Sequence, residues 1–182
     1  MRSSRSAPPH YSIALLTLIH TLFDIALLRR GPEALPKSWL VLYLALALWF
    51  GGILLIKLSS PTLSFASLFA DIAGWLASVA LFAVIISAAG FKARLLQSLS
   101  AIIGAGAVIL FGQIVAGGLA ALLQSDGGAL LVREVLLLWA VFVKGYILAA
   151  AINAKALIGV LLSIVVFVAR LIVSQSLAPA TA

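Results

Sequence analysis

The chain contains no cysteine, and among its 182 residues there are only 5 acidic side chains and 2 histidines. Without cysteine there is no disulfide, no iron–sulfur cluster and no thiolate nucleophile, and the redox state of the compartment leaves no mark on the composition. His10 and His20 are too few for a metal centre, which needs three or four ligands. Bis-histidine haem ligation within the chain would consume both of them. His20 and Asp24 stand at i and i+4 and can touch across one helical turn, but two ligands are not a site. No metal and no cofactor is expected.

The scarcity of acids also removes the paired carboxylates that an intramembrane aspartyl protease needs. The HExxH, Gly-x-Ser-x-Gly and P-loop patterns are missing as well. Gly104-Ala105-Gly106 lacks the third glycine and the preceding strand of a dinucleotide fingerprint, and reads as helix packing. On this inventory the protein is not expected to be an enzyme.

What is abundant is apolar surface. The chain is 64% hydrophobic and 9% charged, against about 45–50% and 25% for a soluble domain, so an integral membrane protein is expected. Its formal charge of +7 marks cytoplasmic loops in such a protein rather than nucleic-acid binding. The Arg-bearing start followed by an apolar run resembles a signal peptide, but no small-residue cleavage site follows. The run ends in Leu28-Arg29-Arg30-Gly31-Pro32 and is expected to stay in the mature protein. As an organellar transit peptide the same lead is too short.

Along 11–30, Thr17, His20, Thr21 and Asp24 recur at spacings of three and four opposite a Leu/Ile/Phe face, which predicts an amphipathic helix. His20 and Asp24 mark its polar face, suited to the headgroup region. Residues 39–56 carry no charge, are flanked by Lys37 and Lys57, and hold Trp39, Tyr43, Trp49 and Phe50 for the interfaces: a first span. After a Ser59-Ser60-Pro61 turn, 63–90 forms a second span interrupted only by Asp71, and Phe91-Lys92-Ala93-Arg94 is a basic connection. Residues 95–123 make a third span, in which Gly112, Ala116 and Ala120 form a small-residue ridge for close helix packing, within the chain or in a homo-oligomer. Gln97, Ser98 and Ser100 at its start are suited to satisfying helix ends.

After a Gln124-Ser125-Asp126-Gly127-Gly128 loop, 131–152 is a fourth span and 156–174 a fifth. Only Asn153-Ala154-Lys155 separates them, but one unbroken helix through both would be about 69 Å long, twice the bilayer core. No repeat or second domain is visible. The chain reads as one membrane domain, 1–182, with a linker and interfacial helix in 1–37, a bundle in 38–176 and a tail in 177–182.

Charge decides between five spans and six. With five, Arg2, Arg5, Arg29, Arg30, Lys37, Lys92, Arg94 and Lys155 share one side against Lys57, Arg133 and Arg170 on the other. A sixth span would divide the basic residues almost evenly. The asymmetry predicts five spans, with the N-terminus and first helix cytoplasmic and the C-terminus outside.

Lys144 stands near the middle of the fourth span. A lysine there costs roughly 2.5 to 3.5 kcal/mol, and the Leu, Ile, Val and Phe side chains of 135–152 return about 3 to 6, so the segment still inserts. Asp71 lies about 12 Å and Lys144 about 18 Å from the outer ends of their spans, a difference that a bent lysine stem can cover. An Asp71–Lys144 intramembrane ion pair is therefore a candidate. Intramembrane ionisable groups are functional candidates by default, but one acid and one base make a thin relay. A structural pair, or a contact with another subunit, is the favoured reading.

Leu28-Arg29-Arg30-Gly31-Pro32-Glu33-Ala34-Leu35-Pro36 before the first span, Arg94-Leu95-Leu96-Gln97-Ser98 with Gly104 in the third, and Trp139 with Gly145, Ile147 and Leu148 in the fourth resemble uncharacterised small inner-membrane proteins of proteobacteria. More distantly, the five-span layout is similar to Yip1-like proteins. Lys144 departs from the basic or histidine-containing end of the fourth span that this resemblance implies, and the resemblance carries no established activity.

The expectation is an all-α, polytopic bundle of five spans with an N-terminal amphipathic interfacial helix, in a bacterial inner membrane. Its partners are expected to be the lipid bilayer and other membrane protein subunits, in a non-catalytic accessory, scaffold or assembly role. The alternative is a small transporter or channel. Its polar pathway would draw on Asp71, Gln113, Lys144, Ser163 and Arg170.

Overall fold

The computed structural model describes residues 10–58, 64–123 and 126–177. Arg2, Arg5, the Ser59-Ser60-Pro61 turn, Gln124, Ser125 and the last residues of the tail lie outside them. The described chain is all-helical: α1 His10–Ala26, α2 Trp39–Leu58, α3 Phe65–Ala88, α4 Leu95–Leu122, α5 Asp126–Ala151 and α6 Ala156–Leu177. Helices α2 to α6 each contain a stretch long and apolar enough to cross a membrane, and α1 is a shorter apolar helix. Hydrocarbon offers no hydrogen bonds to a backbone, so each apolar stretch must satisfy its own amides and carbonyls, which only a helix does within one segment.

The helix of the fourth span begins earlier than the span itself, which starts at Leu130. Helix α5 starts at residue 126 and takes Gly127 and Gly128 into its first turn, where the expected loop would lie. Antiparallel neighbours in contact need only a short reversal, and Leu123 already closes α4 by donating its amide to the Leu119 carbonyl.

Helices α1, α3 and α5 all stop in the same way, at the end of the bundle that carries Arg29, Arg30, Lys92, Arg94 and Lys155, the basic end. The second residue past each helix adopts positive φ: Leu28 at 59°, Gly90 at 88° and Asn153 at 55°. The next amide then reaches back five residues, Arg29 to Asp24, Phe91 to Ile86 and Ala154 to Ala149, at 2.8–3.1 Å. This Schellman closure turns the chain within three residues. It explains how Asn153-Ala154-Lys155 makes a hairpin without glycine or proline, since asparagine tolerates the left-handed conformation.

The spans pack as a ring in the order α2, α4, α5, α6, α3. Helices α2 and α3, adjacent in sequence, meet chiefly through side chains. The Trp49 and Trp75 rings stack with centroids 4.0 Å apart, and Lys57 Nζ lies 2.6 Å from an Asp71 carboxylate oxygen. Helix α4 is the most enclosed element, buried without interruption from Ser98 to Ala105, because α1 covers its remaining side.

Helix α1 docks through Leu22, Ile25 and Ala26, all buried. Leu22 lies over Gly104, where even a Cβ would come within 2.5 Å of a leucine methyl. The Trp139 indole of α5 donates to the Ala26 carbonyl at 2.9 Å, and the Gln97 amide donates to Leu35 in the linker that follows. A second apolar stripe of α1, Leu16, Ile19, Phe23 and Leu27, is exposed. The expected polar face is split: the His20 side chain is 76% exposed, whereas that of Asp24 is 11% exposed and is held by Arg30 Nε at 3.2 Å and His20 Nδ1 at 3.5 Å. Asp24 thus joins the helix to the Arg29-Arg30 turn instead of facing solvent.

Candidate functional site

The ring encloses a cavity of about 230 Å³, lined by residues of all five spans. Regular helical spacing puts the same kinds of residue on its wall from each side. Helix α5 contributes Arg133, Leu137, Ala140 and Lys144, a stripe at i, i+4, i+7 and i+11; α6 contributes Ser163, Phe167 and Arg170; α4 contributes Gly106, Ile109 and Gln113. Trp49 and Ile53 of α2 and Ser78 and Phe82 of α3 complete the wall.

Arg133 and Arg170 each lie about 10 Å of helix rise from the end opposite the basic one. Lys144 lies about 16 Å deeper than Arg133 on the same face of α5. Arg133 is exposed and stands toward that end, with Lys144 at the deep end. Gly106 of α4 leaves room for the lysine: a Cβ there would be 3.8 Å from Lys144 Cε.

The polar groups divide into those already engaged and those free to act. Ser163 Oγ donates to the Val141 carbonyl of α5 at 2.9 Å, and Ser78 Oγ to the Trp75 carbonyl at 2.7 Å. Their hydrogens are committed. The donors left to the cavity are the Lys144 ammonium, the Arg133 and Arg170 guanidiniums and the Gln113 amide.

The candidate Asp71–Lys144 pair is corrected by the observed ion pair of Asp71, which is with Lys57. Asp71 sits on the α2–α3 seam, and α6 with Arg170 intervenes between α3 and the Lys144 face of α5. Asp71 attracts Arg170 without a direct bridge, and Arg170 and Lys144 repel one another. Of the residues named from sequence for a polar pathway, Gln113, Lys144, Ser163 and Arg170 come together on one cavity and Asp71 stays outside it. Arg133 joins them, a residue of the fourth span that entered the sequence reading only in the tally of basic charges on the two sides. Its signal is the i+11 register with Lys144, three helical turns along one face.

The Gly112, Ala116 and Ala120 ridge is half-buried, and it is not where helices approach most closely. A Cβ on Gly112 would find Leu136 at 4.0 Å, an ordinary contact. The closest crossing is between α5 and α6, at Gly145 and Gly159. A Cβ on Gly145 would come within 2.5 Å of the Val160 Cα, and one on Gly159 would collide with the Gly145 carbonyl oxygen. Each glycine has a small residue four positions on, Ala149 after Gly145 and Ser163 after Gly159, so a small-xxx-small signal was present here as well as at the α4 ridge.

Comparison of the chain with protein-family models, with curated proteins and with solved structures gives no match. No group of three or more His, Asp or Glu side chains able to hold a metal ion occurs among the described residues.

Proposed function

We propose that this multi-pass membrane protein is a small transporter that takes a solute into the cavity between its five spans and passes it through the membrane. The observation that carries this reading is the convergence of Lys144, Arg170 and Gln113 from three different helices on one cavity large enough for a small solute. Packing alone gives no reason to spend the insertion cost of a lysine there. The accessory-subunit expectation leaned on a scarcity of internal polar groups, and the cavity wall weakens that ground.

The proposed setting is a bacterial inner membrane. The basic end and α1 face the cytoplasm and the C-terminus faces outside, supported by the uneven division of Lys and Arg between the two ends. On this orientation Arg133 and Arg170 look toward the outside, and a solute entering from there meets them before Lys144. Helix α1 is proposed to lie at the cytoplasmic interface, its exposed Leu16, Ile19, Phe23 and Leu27 stripe in lipid.

A second reading has its own observation. Gly117 and Gly118 of α4 have open space where a side chain would be, beside the half-buried Gly112, Ala116 and Ala120. That face suits close approach by a helix of another membrane subunit or of a second copy, in an accessory or scaffold role.

Purified protein in proteoliposomes, assayed for uptake of small anionic, neutral and cationic solutes, tests the transporter reading. Flux of one class above empty vesicles is expected, and Ala140→Phe, which fills the cavity, should abolish it while the protein still purifies as a folded species. Absence of flux for every class, with correctly folded protein in the vesicles, would sink the reading.

A further inference from the structure

We infer that the cavity is an anion site, in which a carboxylate or phosphate group sits between Lys144 and Arg170; this rests on reading the cavity as a solute site. The charge on the cavity wall is unbalanced. Three cationic side chains, Arg133, Lys144 and Arg170, line the cavity, and none of the described acidic side chains does.

The acids whose side chains the structure describes are accounted for elsewhere. Asp24 holds Arg30 and His20, and Glu33 folds over Gly31 in the linker after α1. Asp71 is bound to Lys57, and Glu134 is exposed and off the cavity wall. Asp71 offsets part of the Arg170 charge from a distance, but nothing in the described chain offsets Lys144.

A cation held within an apolar bundle without a counter-charge is costly, and two that repel are costlier. A negative charge from outside the chain removes that cost. The free donors suit it: a guanidinium fork on Arg170 for two oxygens of one carboxylate or phosphate, a mobile ammonium on Lys144, and the Gln113 amide. Trp49, Phe82 and Phe167 on the same wall favour an anion with a small apolar body over a bare inorganic ion.

The carboxylate or phosphate has two sources, a free solute or a lipid headgroup, and the test separates them. Full-length protein in phosphatidylcholine nanodiscs is followed by thermal unfolding with added benzoate, inorganic phosphate, benzamide as the neutral counterpart and benzylammonium as the cation. A parallel arm adds phosphatidylglycerol to the disc and no free anion. A rise in Tm with benzoate or phosphate and none with benzamide or benzylammonium is expected for a free solute. A rise with phosphatidylglycerol alone assigns the group to a headgroup.

Lys144→Met supplies the decisive variant. It keeps the volume and removes the charge, so it should raise Tm in anion-free discs and weaken anion binding at least tenfold. If Lys144→Met lowers Tm without anion, the lysine has a partner inside the protein and the inference falls. Stabilisation by benzamide equal to that by benzoate also overturns it while leaving the cavity as a solute site. If no compound and no lipid stabilises the protein, both readings fail. Anion binding without flux in proteoliposomes keeps the anion site and removes the transporter.

Discussion

Trp49 and Trp75 stack with their ring planes 19° from parallel and their centroids 4.0 Å apart, and with Lys57 and Asp71 they close the ring of spans between α2 and α3, whose backbones hardly meet. Phe50 packs edge-on against Trp75 at 5.8 Å and continues the aromatic seam. Trp49 also lines the cavity, so the seam is the wall through which α2 and α3 enclose it.

The two contacts of the seam should differ in strength. Trp75→Ala removes a buried aromatic and its stacking partner, at a cost of about 3 kcal/mol. Lys57 lies in the last turn of α2 and Asp71 in the second turn of α3, and a pair near helix ends, within reach of headgroups and water, couples by less than about 1 kcal/mol. Unfolding by titration with dodecyl sulfate should show the large loss for Trp75→Ala. A double-mutant cycle of Lys57→Met with Asp71→Asn should give only the small coupling. A coupling above about 2 kcal/mol would mean that the ion pair, and not the stack, holds the seam.

Gly145 and Gly159 should be the glycines of α5 and α6 that tolerate least. A methyl group at either meets backbone atoms of the facing helix, which cannot give way as a flexible side chain can. Gly145→Ala and Gly159→Ala should each destabilise by about 2 to 3 kcal/mol. Gly117→Ala has nothing within 4 Å and should stabilise by several tenths to about 1 kcal/mol, the helix-propensity difference. The same unfolding titration checks all three.

The hairpin between α5 and α6 depends on Asn153 at φ 55°. Asn153→Gly should be neutral or slightly stabilising, whereas Asn153→Val should cost about 1 to 2 kcal/mol, because a β-branched residue resists the left-handed region. Comparison of the two midpoints gives the sign. Equal midpoints would show that the left-handed turn contributes nothing.

Helix α1 is held by a few identifiable contacts and should be releasable without unfolding the ring. Gly104→Val drives a branched side chain into Leu22, and Trp139→Phe removes the hydrogen bond to Ala26. Together they should raise hydrogen exchange over residues 16–26 by at least tenfold, as expected for the loss of about 1.4 kcal/mol or more of local stability. Exchange in α4 to α6 should stay unchanged. Global acceleration would show instead that α1 is part of the cooperative core.

The number and kind of the elements were written in the sequence, because a bilayer reduces the folding problem to length and hydropathy. An apolar run of sufficient length must be a helix, and five such runs give five membrane-crossing helices. The short apolar helix before them was legible in the same way, as was the break at Asn153, which two bilayer thicknesses of continuous helix would not permit.

What the sequence left open was which helix faces which. In an apolar chain, nearly every helix face is hydrophobic enough to meet either lipid or protein, so periodicity does not choose the partner. Asp71 and Lys144 were near in depth, and depth is all that spacing records; the ring order put α6 between their helices and gave Asp71 to Lys57. The same order turned Arg133, Lys144, Gln113 and Arg170, scattered over three helices, onto one cavity. Helical rise fixes how deep a side chain lies. Only the packing of the bundle fixes the direction in which it points, and here that direction made a lysine that looked like a packing anchor into part of a cationic cavity wall.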